Sequence, residues 1–148
     1  MIDLKLTNVS DNIWFGRSQM DITYDGLGNP DLVQGYQYFN QMVQKDILTA
    51  KKDTNLYPQY GSNVRDVLGD AVEDTITRSF IMNTITQALQ RIVYNQQNLL
   101  NTYNFDATEL LDSIQNIMIR QNDKVKTQYD ITLYLNTKAG QQAVTVTV

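Results

Sequence analysis

Residues 31–64 read DLVQGYQYFNQMVQKDILTAKKDTNLYPQYGSNV. Leu32, Tyr36, Phe39, Val43 and Ile47 recur there at spacings of three and four, which is one face of an α-helix. Pro30 sets the entry direction and Asp31 is the expected start. Gly35 falls inside that helix, where glycine costs about 1 kcal/mol against alanine, so close packing against another backbone is expected. Gln41 and Gln44 lie off the apolar stripe. Leu48 ends the run, and Thr49 opens the polar loop AKKDTN. Leu56, Tyr57, Pro58, Gln59, Tyr60, Gly61 and Ser62 follow as a short aromatic segment. Pro58 has no N–H and fixes its own φ, whereas Gly61 permits φ > 0.

Downstream, Ser62 or Asn63 can cap a further helical stretch with Val64, Val67 and Leu68 on its apolar face, ended by Gly69. Val72, Ile76, Phe80, Ile81, Ile85, Leu89, Ile92 and Val93 then make the longest helical pattern in the chain. Asp70, Glu73 and Asp74 fall near its start, where acidic groups suit the macrodipole. The pattern decays in YNQQNLLNTYN, and a short helix, ATELLDSI, is expected from Asp106 or Thr108. Beyond it the period changes to two. Ile117 and Ile119 alternate with polar residues, as do Tyr129, Ile131, Leu133 and Leu135, and then Val144, Val146 and Val148. Each set is a strand with one apolar face, and TKAG at 137–140 is a hairpin turn. Upstream, Ile2, Leu4 and Leu6 alternate with polar residues, and so do Met20, Ile22 and Tyr24. Ile13, Trp14 and Phe15 form an apolar knot before Gly16, with Trp14 as a packing anchor. DGLGNP at 25–30 breaks the chain. The expected fold is α+β in a single domain. It comprises an extended arm at 1–29, a helical part at 30–114 and an antiparallel sheet of about three strands at 115–148.

Composition narrows the function. The chain has 148 residues, enough for one core. It contains no cysteine and no histidine, which removes thiol nucleophiles, thiolate metal sites, histidine-based triads and histidine zinc sites. No cofactor and no metal site is expected. The net charge of −4 is spread without a basic run, so nucleic acid is not an expected partner. No apolar run approaches the ~18–20 residues that span a bilayer, and the N-terminus lacks a signal-peptide core. A soluble, intracellular protein is expected.

The motifs in the opening stretch resemble those of phage baseplate wedge proteins that act as tail-sheath initiators. Their pattern places a glycine, a glutamine six residues later, Leu-Thr at the helix end, and then Pro-x-aromatic-Gly-Ser. Here that is Gly35, Gln41, Leu48-Thr49 and Pro58-Gln59-Tyr60-Gly61-Ser62, with the spacing from Thr49 to Pro58 preserved. Where the family has Gly-Glu-Arg this chain has Lys52, Asp53 and Thr54, keeping only acidic character at Asp53. The family's Glu-Pro-Arg motif before the C-terminal strands is missing, since the chain's two prolines are Pro30 and Pro58. The resemblance covers roughly residues 31–95, and the C-terminal sheet loosely. It implies a structural protein of the virion tail baseplate, made in the host cytoplasm and present in several copies (about six) around the tail. It implies wedge, tail-tube and sheath proteins as partners, with no membrane. Asp53, Tyr57, Pro58, Tyr60, Gly61 and Ser62 are the implied docking residues. A neck or hub adaptor in a tail without a sheath is the structural alternative.

Because some members of that family carry a lysozyme-like label, glycoside hydrolysis needs weighing. It takes two carboxylates, one with a raised pKa. The two glutamates, Glu73 and Glu109, both read as solvated acids near helix starts, which lowers a carboxyl pKa. Asp106, Glu109 and Asp112 share a face of the expected short helix, but no calcium-loop glycine surrounds them. The chain is expected not to be an enzyme. At the C-terminus, Val144, Val146 and Val148 form an apolar strand face without charged neighbours. Such a strand at an uncovered sheet edge invites a partner strand. The helical core lies upstream, so removal of residues 143–148 is expected to leave a folded monomer that cannot assemble.

Overall fold

The computed structural model describes the backbone of residues 2–9, 19–22, 24–53, 58–67, 74–125 and 127–148. Trp14 and its apolar neighbours, Tyr57, Leu68, Gly69, Asp70, Val72 and Glu73 lie outside the described residues. The chain is α+β. In order, it forms β1 (Ile2–Leu4), β2 (Leu6–Val9), β3 (Gln19–Ile22), β4 (Leu32–Gln34), α1 (Tyr36–Leu48), α2 (Val64–Val67) and α3 (Asp74–Leu99). Then come β5 (Leu111–Gln121), β6 (Tyr129–Thr137) and β7 (Gly140–Thr147). β5, β6 and β7 make one antiparallel sheet in that order, with β6 central. The N-terminal region makes two small ribbons, β1 with β4 and β2 with β3.

Both long helices lie on one face of the sheet. Phe39, Val43 and Ile47 of α1 and Ile81, Ile85, Leu89 and Ile92 of α3 share a single buried cluster with Ile131, Leu133, Leu135, Val144 and Val146. The period-two reading of β6 and β7 therefore gives the correct inward face, with Ile131 opposite Val146 and Leu133 opposite Val144. The hairpin is also as read: Thr137 pairs with Gly140 across Lys138 and Ala139. Ile76 and Phe80, expected on the buried stripe of α3, are exposed, while Thr77 and Gln96 are buried. The helix also continues to Leu99, through the polar stretch where its apolar pattern fades.

Three features differ from the sequence reading for identifiable reasons. First, the helix expected from Asp31 begins at Tyr36. Leu32–Gln34 is instead strand, paired with Ile2–Leu4, which buries Val33 and leaves Leu32 exposed. Gly35 has φ of 59°, and it sits at the helix's N-cap, not within the helix. Second, ATELLDSI is not helical. Residues 106–109 form a turn, and the sheet begins at Leu111. The helix-like spacing of Leu111 and Ile114 comes from a register shift in β5 between Leu111 and Ser113, and a second shift between Ile114 and Asn116 keeps Ile117, read as strand, on the same face. A β-bulge inserts one extra residue, so apolar residues three apart stay on one sheet face. Third, Gln41 is buried, its amide donating to the Leu4 carbonyl at 2.6 Å and to Asp3 at 3.2 Å.

The position of β7 also changes the expectation for C-terminal truncation. Val144 is fully buried and Val146 is 3% exposed, both against the helices. Removing residues 143–148 would strip both valines from the core and uncover Ile131 and Leu133. Deletion of comparable apolar groups costs about 2–5 kcal/mol per large side chain, a large share of a domain's ~5–15 kcal/mol. The truncated chain is expected to lose its cooperative thermal transition, read by circular dichroism. A transition unchanged from the full chain would show that the helices alone hold the core.

Candidate functional site

The aromatic segment after α1 is locked onto that helix. Asp46, on the last turns of α1, falls seven residues after Phe39 and so lies on the buried side. It is 2% exposed. Its Oδ1 accepts the Gly61 backbone N–H at 3.1 Å, and both carboxylate oxygens accept Arg91 Nη2 at 3.0 Å. The same Arg91 nitrogen donates to the Gly61 carbonyl at 2.7 Å. One carboxylate and one guanidinium thereby bind both polar groups of Gly61 and join α1, the loop and α3. Such charge-assisted bonds are roughly twice as strong as neutral ones.

Ser62 completes the attachment. Its N–H donates to the Thr49 carbonyl at 2.7 Å, and its hydroxyl donates to the Ile47 carbonyl. These bonds occupy carbonyls at the C-terminal end of α1 that the helix itself leaves unpaired. Gly61 has φ of 93°, as expected, and a Cβ there would collide with the Thr49 carbonyl oxygen. Only glycine allows this approach without displacing the backbone. Tyr60 is half-buried. Burial, and then the nearby Asp46 charge, push its phenol up to about 12.

The other residues of the segment point elsewhere. Pro58 and Asp53 are exposed. The Pro58 carbonyl accepts the Lys52 N–H at 3.2 Å, and the Asp53 N–H donates to the Ala50 carbonyl at 3.2 Å. Lys52 takes φ of 72° to make this turn. Pro58 and Asp53 are thus available at the surface, while Gly61 and Ser62 are buried and serve the loop's attachment. Neither Asp46 nor Arg91 is among the expected site residues. Asp46 carried a signal, a charge on the apolar stripe of α1, which must be paired when buried.

A second anchor ties the start of α1 to the sheet. Glu109 is fully buried. Its Oε1 accepts the Gly35 N–H at 3.0 Å and its Oε2 accepts the Asp106 N–H at 3.2 Å. Gln96 donates to the Glu109 carbonyl at 2.7 Å and accepts the Leu111 N–H at 3.0 Å. This corrects the reading of Glu109 as a solvated cap acid. Gly35 does approach its neighbours closely, since a Cβ there would lie 3.3 Å from Thr108 Oγ1, a side chain and not the expected backbone. Asp106 Oδ1 takes the Thr108 hydroxyl and N–H at 2.7 and 2.8 Å, which hold its carboxyl below the usual range. Asp112 instead pairs with Lys138 at 2.9 Å. Asp106, Glu109 and Asp112 therefore share no helix face, and no acidic group of three among the described residues could hold a metal ion.

The C-terminal strand presents the other element of interest. Tyr129 and Val148 exchange both backbone hydrogen bonds, at 2.8 and 3.0 Å. Antiparallel pairs alternate, so Val144, Val146 and Val148 direct their backbone groups to β6. Ala143, Thr145 and Thr147 direct theirs outward. The outward carbonyls of Ala143 and Thr145 accept the Tyr36 hydroxyl and the Gln44 amide, each at 3.0 Å. The edge is therefore not bare as expected, because α1 covers two of its acceptors. The valine backbones serve this chain's own sheet, and Val148 is half-buried. The opposite edge is treated similarly, with Arg78 of α3 reaching the Ile119 carbonyl at 3.5 Å.

A surface depression of about 370 Å³ lies along α3, lined by Thr75, Arg78, Ser79 and Met82, none of them a carboxylate. Among the described residues, no helix is long and apolar enough to cross a membrane. No protein-family model and no curated protein matches this chain.

The lock has measurable consequences. Breaking a buried ion pair costs about 3–5 kcal/mol, and Arg91 keeps 22% side-chain exposure, so Asp46→Asn is expected to cost the lower end of that range in urea denaturation. Gly61→Ala is expected to cost at least as much as its φ strain of about 1–3 kcal/mol. Wild-type stability in both variants would remove the lock from the account. Tyr60 gives a pH signature. Its folded pKa lies above the unfolded value, so its contribution is fully present below about pH 10 and is lost as pH rises toward about 12. Tyr60→Phe is expected to lose less stability than the wild type across that window, and equal losses would contradict the burial of the phenol.

Proposed function

We propose that this chain is a structural component of a phage tail baseplate, docking on wedge proteins and initiating sheath assembly through strand addition at β7. The observation that carries the reading is the physical role of the motif residues. Gly35, Gln41, Thr49, Gly61 and Ser62 each hold a backbone contact that ties α1 to its surroundings. A motif that shares order and spacing with the sheath-initiator family is thus also a set of anchors spread along α1. Its exposed members, Pro58 and Asp53, are the residues offered to a wedge partner, and Tyr57 belongs with them by sequence.

Two further features support a binding role over a hydrolytic one. The Glu109 carboxylate already accepts two backbone N–H groups in a fully buried position, which leaves it no approach to a sugar. β7 carries no charged side chain, the property that makes an edge receptive to another strand. A natural tail would use several copies around its axis.

The reading is tested with purified protein and the sheath protein encoded in the same genome, followed by electron microscopy. Sub-stoichiometric amounts of this chain are expected to shorten the lag of sheath polymerisation, and Thr145→Pro is expected to abolish the effect. Proline removes the outward N–H but is tolerated on an edge strand. An unchanged lag would contradict the sheath role, and a genome without a sheath gene would favour the neck or hub adaptor. Incubation with peptidoglycan is expected to release no sugar, and release abolished by Glu109→Gln would overturn the structural reading.

A further inference from the structure

Two donors from one helix sit on the two consecutive outward carbonyls of β7. Tyr36 and Gln44 lie eight residues apart in α1, yet their polar ends reach Ala143 and Thr145, two residues apart on the strand. The corresponding N–H groups of Ala143, Thr145 and Thr147 also face outward. An incoming strand would bring its own N–H groups to the same two carbonyls. It therefore cannot complete its ladder while both side chains remain in place.

We infer that Tyr36 and Gln44 are a displaceable guard on the β7 edge, occupying it until an extended polypeptide strand takes over their acceptors. This rests on strand addition at β7, the reading proposed above. The guard satisfies the carbonyls of the free protein, which lowers the tendency of an uncharged edge to pair indiscriminately. It leaves the outward N–H row for first contact. Tyr36 is exposed and Gln44 half-buried, so each can swing away without opening the core. The occupant is also defined by chemistry. Val144 and Val146 face the helices, and Ala143 and Thr145 face solvent. The added strand must therefore alternate apolar residues beneath α1 with small polar ones on the outer face.

Residues 144–148, VTVTV, have that pattern, and residues 140–148, GQQAVTVTV, supply a probe. A fluorescent peptide of this sequence, with two added lysines for solubility, is titrated against four full-length proteins. They are the wild type, the Tyr36→Phe/Gln44→Leu double variant, and each of these carrying Thr145→Pro. Thermal melts establish that all four are folded. The guard is expected to weaken peptide binding about tenfold in the wild type relative to the double variant, equivalent to about 1.4 kcal/mol. Thr145→Pro is expected to abolish binding in both backgrounds. Equal affinity of wild type and double variant, with loss in the Thr145→Pro proteins, would overturn the guard and leave strand addition standing. Absence of binding to the wild type and the double variant alike would overturn both. Tighter binding by the double variant that survives Thr145→Pro would place the peptide elsewhere and overturn the guard.

Discussion

The buried carboxylate of Asp46 is the constraint on which the arrangement around α1 depends. An ionised group that is 2% exposed persists only if its charge and lone pairs are matched. Arg91 supplies the charge and the Gly61 N–H supplies a further donor. Since these partners come from α3 and from the loop, satisfying one residue fixes three pieces of backbone. The positive φ of Gly61 follows from this geometry, because the loop must pass against Thr49 and Ala50 with no room for a Cβ.

Glu109 plays a parallel part at the other end of the helix. It accepts the Gly35 N–H just ahead of α1 while Gln96 clamps its own backbone. α1 is thus fixed at its start by a carboxylate from the turn before β5, and near its end by its own aspartate. A helix held at both ends can set side chains on the neighbouring strand, and Tyr36 and Gln44 do so on β7. The polar network and the strand edge are in this way parts of one mechanical unit. The Glu109 anchor lies beside Tyr36 and the Asp46 anchor two residues from Gln44, so each edge donor sits next to one end-fixing contact.

The sheet and its inward face were legible in the sequence because period-two alternation in β6 and β7 is uninterrupted. So was the positive φ at Gly61, since a glycine after a proline turn is the residue that tolerates it. The start of α1 was not legible. Leu32 fits a helical stripe locally, but pairing with Ile2–Leu4 is a distant contact that local periodicity does not encode. The register shift between Leu111 and Ser113 in β5 misled for a different reason, giving Leu111 and Ile114 a helical spacing within a strand. Of the candidate site, the loop and the C-terminal valines could be picked out by motif and pattern. Asp46 showed only as a charge on an apolar stripe, and Arg91, Tyr36 and Gln44 showed no signal at all, because the partners of these residues lie from 15 to 107 residues away.

Native-state hydrogen exchange followed by NMR tests the central claim, that a locked loop and a receptive strand edge coexist in one fold. The Gly61 amide, bound to buried Asp46, is expected to exchange only with global unfolding, at the rate of core amides such as that of Ile85. The Thr145 amide, directed outward, is expected to exchange fast and to become protected when sheath protein is added. Exchange of Gly61 at loop rates, together with a Thr145 amide already protected in the free protein, would contradict the account.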